Sequence, residues 1–407
     1  MENFRKQPLS EQNIPEDDLG IKVSELLSIL GNNKLSAFIV EKLNVKSIKD
    51  EFIAIKGART LVRIQKSVNR RFHKEDLISE LADISLYNSN NEFTINFNNI
   101  DNNEYFQAID MSMLSSIPIY SAARDFFSEL YQMDKYASVL IKNGFRGIVE
   151  TNLSMLKEIH TTSKRYRILH DLNDNLFYLR AIISLRNYHN YDNNIAIVIS
   201  LLTLHNETKR TGLEYRLKKF EYNESFIRAF FESSEVKQLE GIGKVKNLIE
   251  ISNDEIKREA LRFSGVCSIV FGQEDGVSDE LFIQPQEIKS RILSVKHNQV
   301  PKTAIQELSN IEKSSTVHEN IYNDILKIAK IKNPDQIKFL VLSKVENATN
   351  EDIKKHKSQI LAELSHSVSN ILQLLTVFRK IELLASEDIE ATEYLRFIIY
   401  QALIEKK

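Results

Sequence analysis

Only 11 glycines and 6 prolines punctuate 407 residues, and a chain so poor in turn formers is hard to divide into many short strands, each of which needs a reversal at its end. Long helices tolerate that scarcity. The sequence is accordingly read as mainly α: a multi-helix, two-lobed protein with minor β-hairpins near residues 86–98 and 266–283 and a long C-terminal helix pair. A hydrophobic fraction of 42% is ample for substantial cores at this length. The 54 Lys and Arg nearly cancel the 56 Asp and Glu, so any charge message has to be local.

The lone cysteine, Cys267, excludes an internal disulfide and a cysteine-based zinc site, which points to a reducing, intracellular setting, the cytoplasm. No cofactor, metal site or catalytic residue is expected. Residues 1–18 hold Glu2, Glu11, Glu16, Asp17 and Asp18 without an apolar stretch; they read as a flexible or draped arm, not a signal peptide. Residues 195–204 form the longest nearly apolar run, far short of the roughly 20 residues that span a bilayer, and so read as a buried element. No membrane partner is expected.

Helical spacing at Val23, Leu26, Leu27 and Leu30, and again at Leu35, Phe38, Ile39 and Leu43, predicts a helical hairpin. A third helix is expected over residues 52–72 and a fourth over 73–85. Phe93, Ile95 and Phe97 alternate with polar residues as in a strand. Helices resume after Pro118, stop at Asn143 and Gly144, and recur three times between residues 148 and 220. A hairpin is read at 266–271 and 281–283 around Asp275 and Gly276. Beyond Pro301 the pattern is helical: Thr316 with Glu319 has capping-box spacing, Pro334 suits a first helical position, and Thr349 with Asp352 heads another helix. Ile360, Leu364, Ile371, Leu374, Phe378 and Ile381 keep a seam through a helix reaching Ala385, and Ser386 caps the last. The lobes are placed at 19–222 and 223–407, with a boundary in the polar stretch 223–241. The closing helix pair, 350–405, either completes a core or joins two subunits.

The strongest functional signal is a basic face. Residues 52–74 contain no Asp or Glu but carry Lys56, Arg59, Arg63, Lys66, Arg70, Arg71 and Lys74. At 100° per residue Lys56, Arg59, Arg63, Lys66 and Arg70 form one stripe, with Leu61, Ile64, Val68 and Phe72 nearly opposite. Like charges three or four apart repel unless an anion lies close. That anion is a nucleic-acid backbone, the chain's own acidic stretch at 82–141, or an acidic partner. Lys209, Arg210, Arg216, Lys218 and Lys219, interleaved with Tyr215, Phe220 and Tyr222, add a second basic set; as an alternative, their long stems cover an apolar core. The favoured reading is a non-enzymatic subunit that binds a polyanion, foremost a nucleic-acid backbone without regard to sequence, and assembles with protein partners or with itself. One alternative is a scaffold that touches only proteins. Another is a scattered-ligand, metal-dependent nuclease or phosphohydrolase.

Three short stretches resemble known motifs. Leu239, Gly241, Ile242, Gly243, Lys244, Leu248 and Ile249 resemble the helix-hairpin-helix motif, which implies a glycine turn offering amides to a phosphate; Asn247 and Glu250 depart from its packing pattern. His170 and Asp171, with Asp174, resemble the dipeptide of the HD phosphohydrolases, which implies a metal that activates water. His366, and His160 after Glu158, resemble the phosphoacceptor segment of sensor kinases, but no ATP-binding domain follows. The chain has no P-loop, GxGxxG, HExxH or GxSxG.

Overall fold

The computed structural model describes residues 4–89, 92–130, 133–159, 163–186, 188–256, 259–274, 277–285 and 287–406. Two compact units make up the chain, one from residues 1–65 with 190–407, the other from residues 66–189. The first unit opens with β1 (Gln7–Ser10), β2 (Ile21–Lys22), α1 (Val23–Leu26), α2 (Lys34–Lys42), β3 (Phe52–Ile53) and the start of α3 (Ala58–Arg71), which continues into the second unit from Lys66. The N-terminal segment is draped: β1 pairs antiparallel with residues 219–222, and Phe4 is buried.

In the second unit, β4 (Phe72–Glu80), β5 (Ile84–Ser89), β6 (Glu92–Asn98), α4 (Glu104–Ala108), β7 (Met113–Pro118), α5 (Ala122–Asp125), α6 (Asp134–Lys142), α7 (Arg146–Ile159), β8 (Ser163–Asp171) and β9 (Leu176–Ile183) follow in order. The strands make one sheet ordered β4-β8-β9-β7-β6-β5, antiparallel except for the parallel pair β7–β9. Its core gathers Leu77, Phe97, Phe106, Phe126, Tyr166 and Leu179.

The first unit resumes with α8 (Asn193–Thr211), the buried element expected at 195–204. Asp192 caps it by accepting the Ile195 N–H at 2.9 Å, and Gly212, at φ 76°, ends it in the left-handed region. Residues 195–205 of α8 are buried without a break, so that stretch is sequestered on every side, while the last turn reaches the surface. Next come β10 (Tyr215–Tyr222), β11 (Phe226–Leu239), β12 (Gly243–Asp254), β13 (Glu259–Glu274), β14 (Val277–Ile283), α9 (Glu287–Ser290) and β15 (Arg291–Lys296). The sheet runs β1-β10-β11-β12-β13-β14, with β15 also on β13, and curls into half a barrel. The helices α10 (Pro301–Glu307), α11 (Ser314–Ile325), α12 (Pro334–Glu346), α13 (Glu351–Ser365), α14 (Ile371–Leu384) and α15 (Ile389–Tyr400) close the unit.

The two faces of this sheet differ. On one, Ile227, Phe231, Ile249, Ile251, Leu261 and Phe263 join Ile195, Val198 and Leu202 of α8 in one core. Farther along the same strands Val245, Cys267, Ile269, Leu281 and Ile283 join Leu364, Leu374, Phe378, Leu395 and Ile399 in a second. On the other face a narrow apolar band, Phe230, Leu248, Val266 and Phe282, crosses four strands.

The mainly α expectation is overturned by this half-barrel and the two further sheets; the chain is not an α-helical protein with minor hairpins. The hairpins expected at 86–98 and 266–283 exist as β5–β6 and β13–β14, but inside larger sheets; Asp275 and Gly276 lie outside the described residues. Residues 73–85, expected as a helix, are mostly β4, and residues 223–241 are largely β11, well inside a sheet. The stretch 148–220, expected as three helices, holds α7 and α8 alongside β8, β9 and β10.

Two causes explain the difference. Turns here do not need glycine: Asn99, Asp110 and Asn175 take positive φ of 54°, 56° and 52°, a conformation that Asn and Asp tolerate. The strands also carry charge on buried positions, as Arg228 and Glu232 do in β11, so the two-residue apolar rhythm is lost.

At the C-terminus Pro334 does occupy a first helical position, beside the cap Asn333. Lys313 rather than Thr316 precedes α11, Asn350 caps α13 and Asp388 caps α15. The expected long pair at 350–405 is three helices, broken at 366–370, and its seam lines the unit's own core. Among the described residues no helix is long and apolar enough to cross a membrane.

Gly57 sets the approach of α3 to β10. Its φ is +90°, and a Cβ there would lie 2.7 Å from the Leu217 Cβ, while the Leu217 N–H donates to the Lys56 carbonyl at 2.8 Å. Gly57→Ala should therefore cost about 2–4 kcal/mol from the strained φ and the overlap combined, read as a lower urea midpoint; an unchanged midpoint would show that the contact yields freely.

Candidate polyanion face and a charged cleft

Helix α3 is built for one buried and one open side. Asp18, itself buried, accepts the backbone N–H groups of Arg59 at 3.3 Å and Thr60 at 2.7 Å, capping the helix from forty residues upstream. Ala58, Thr60, Leu61, Val62 and Gln65 are buried, and Gln65 Nε2 donates to Asn194 Oδ1 at 2.8 Å. Arg59, Arg63 and Arg70 are exposed and Lys66 partly so. These four share one face of an unbroken helix. Two details differ from expectation. The helix starts at Ala58, so Lys56 precedes it, bridging to Arg216 through the backbone. It also ends at Arg71, so Phe72 opens β4. Among the described residues, none of Lys56, Arg59, Arg63, Lys66 and Arg70 pairs with a carboxylate, whereas Arg71 pairs with Asp171 at 2.7 Å.

The second basic set is internally answered throughout. Lys209 meets Glu51, whose carboxyl it holds below the usual range together with His205. Arg210 meets Glu207 at 2.7 Å. Arg216 meets Glu11 at 2.5 Å and Glu232 at 2.6 Å; Lys218 meets Glu11 at 2.9 Å and Glu280 at 3.0 Å; Lys219 meets Glu221 at 2.7 Å. Tyr215 and Phe220, offered as stacking rings, are buried.

Sequence reading missed what the half-barrel does with charge on its second face. Two residues along each strand from the apolar band lie Glu232, Lys246, Ser268 and Glu280; two residues the other way lie Arg228, Glu250, Ser264 and Gln284. The first row, with Arg216, Lys218 and Glu11, closes into an ion network in which Ser268 Oγ donates to Glu280 at 2.7 Å. In the second, buried Arg228 donates to Glu221 at 2.6 Å and pairs with Glu393 of α15 at 2.9 Å. Against the penalty of burial, Arg228, Lys219 and Arg396 bring the Glu221 carboxyl down to about 2. Beside them Glu250, Arg262, Ser264 and Gln284 line an open cleft of about 780 Å³. The cross-strand register that assembles these rows has no counterpart in local sequence spacing; the only hint was charge set among aromatics at residues 226–232.

The motif candidates are otherwise engaged. His170 lies in β8, stacked on Phe177 with centroids 4.0 Å apart. Its Nε2–H donates to Asn175 Oδ1 at 2.9 Å, and Tyr105 donates its hydroxyl to Nδ1 at 2.6 Å, so neither ring nitrogen is open to a metal. Asp171 is fully buried under the Arg71 guanidinium. Among the described residues no three His, Cys, Asp or Glu gather as metal ligands. Residues 239–243 form the turn of the β11–β12 hairpin, not an interhelical one. His366 follows α13, with Nδ1 3.3 Å from the Glu363 carbonyl; His160 lies outside the described residues. Comparison with protein-family models, curated proteins and solved structures matches none of them to this chain.

Because Glu221 titrates far below its ordinary value of 4.5, the stability it contributes is complete above that value and is lost as pH falls toward about 2. Glu221→Gln should cost about 3–5 kcal/mol near neutrality, since it leaves Arg228 short of a counter-charge. The gap to the parent protein in urea midpoints should narrow between about pH 5 and pH 3. A gap constant over that interval would show that the charge of Glu221 is not what counts.

Proposed function

We propose that this chain is a non-enzymatic subunit that binds a polyanion, foremost a nucleic-acid backbone, through the α3 face and assembles with protein partners. One observation carries the reading: Arg59, Arg63, Lys66 and Arg70 of α3 have no carboxylate partners among the described residues, while Lys209, Arg210, Arg216, Lys218 and Lys219 all do. At about 1.5 Å per residue, Arg59 to Arg70 spans about 16 Å, enough for several successive phosphates. Contacts of this kind release counterions and carry no sequence information. The internal pairing of the second set moves the emphasis to α3. The cytoplasmic assignment rests on the single cysteine, whose thiol burial pushes up to about 12, a state inert to oxidation.

Reversing Arg59, Arg63 and Lys66 to Glu should abolish binding of single- and double-stranded oligonucleotides. Single reversals should each lower the salt-dependence slope by about one unit. Fluorescence anisotropy across a salt series measures both. A folded triple variant that binds both nucleic acids like the parent would leave the protein-only scaffold as the reading.

The partner half of the proposal is supported by α6, α7 and the turn between them, which present Tyr136, Val139, Phe145, Ile148 and Met155 to solvent, each more than two-fifths exposed. Large side chains left bare on two neighbouring helices mark a surface that another protein covers. Sedimentation equilibrium should show mass above that of the monomer as concentration rises, and Val139→Lys with Ile148→Lys should return it to the monomer value. Identical behaviour of parent and variant would remove self-association through this face.

A further inference from the structure

The cleft on the second face of the half-barrel is lined by a buried carboxylate, one oxygen of which accepts no hydrogen bond among the described residues. Glu250 is 1% exposed. Its Oε2 accepts from Gln284 Nε2 at 3.0 Å, and its Oε1 accepts no hydrogen bond from any described residue. The Arg262 Nη2 stands 3.9 Å away, too far to donate, and the Nη1 of that guanidinium turns toward Glu287 at 3.5 Å. Leaving such an acceptor unsatisfied is costly inside a fold, and Glu250 is among the residues that line the cleft.

The remaining walls have a consistent chemistry. Glu287, Glu390 and Glu393 also line the cleft, each with a cation behind it, from Arg291, Lys6 and Arg228. Val266, Tyr394 and Phe397 supply apolar and aromatic surface, and Phe397 is 39% exposed. A buried carboxylate floor beside aromatic rings is the arrangement that recognises alkylammonium groups, because the ring faces attract cations and the floor takes the N–H bond.

We propose that this cleft binds a small organic amine, its ammonium donating to Glu250 Oε1 and its hydrocarbon body lying against Val266, Tyr394 and Phe397. An anion of the same shape meets four carboxylates and one guanidinium, and a neutral alcohol leaves the Glu250 charge uncompensated. Burial pushes the Glu250 carboxyl up, opposed by Arg228 of β11 and Arg262 of β13 and assisted by Glu393 of α15 and Glu221 of β10. Amine binding therefore draws the proton off Glu250 and weakens as pH falls through the titration of that group.

The test uses the full chain and three probes of one shape: 2-phenylethylamine, 2-phenylethanol and phenylacetate. Calorimetric titration near pH 8 should show saturable binding of the amine and a loss of about tenfold or more in Glu250→Gln, the equivalent of one charge-assisted contact. Phe397→Ala, at the rim, should weaken the same amine without disturbing the fold, which keeps the question open to measurement even where Glu250→Gln fails to fold. The proposal is overturned if phenylacetate or 2-phenylethanol binds as tightly as the amine, if the amine does not saturate, or if a folded Glu250→Gln or Phe397→Ala protein binds it unchanged.

Discussion

A guanidinium cannot lie inside a sheet without counter-charge, and the way Arg228 obtains it organises the larger unit. Its partners come from different parts of the chain: Glu221 from the neighbouring strand β10 and Glu393 from α15. Arg396, one turn from Glu393, lies 4.5 Å over the Phe282 ring and is held by Glu382 of α14. One buried charge thereby ties β10, β11 and the last two long helices into a single arrangement, and the apolar band of Phe230, Leu248, Val266 and Phe282 fills the space around it. Removing Glu221 takes from Arg228 the one of these two counter-charges that is itself buried. Such a network favours one arrangement of sheet and helices over others of equal hydrophobic content.

Elements whose instructions are local were legible in the sequence. The apolar run at 195–204, the first-turn Pro334 and the alternation at residues 93–98 each specify their structure within a few residues. What escaped depends on partners far away. The strand β4, with His73, Lys74, Glu75 and Asp76 in succession, looks like a solvated helix until β8 supplies Arg167 opposite Asp76. The sparse glycine that argued for helices misled because asparagine and aspartate make the turns, as Asn175 does between β8 and β9.

The same division holds for function. The amphipathic character of α3 is a property of one segment, so its cationic face could be read from spacing, while the bounds of the helix could not: Gly57 and Asp18 start it and Phe72 leaves it for β4. The second basic set shows the converse. Its members sit near one another in sequence, but the carboxylates that answer them, Glu11, Glu51, Glu221, Glu232 and Glu280, are spread over the chain. The Glu250 cleft lies wholly in this non-local category, since β12, β13, the segment after β14, α9 and α15 contribute its lining.

The discontinuity of the larger unit fixes an order of events during synthesis. Strand β1 ends at Ser10, but the strand it pairs with begins at Tyr215, and residues 66–189, which complete a sheet and core of their own, emerge in between. The inserted unit can therefore fold on the ribosome while the first 65 residues wait, and the half-barrel gains its edge strand only after most of the chain has been made. Pairing across so long an interval is slow to nucleate, and it leaves β10 with an open edge until the N-terminal segment returns to cover it.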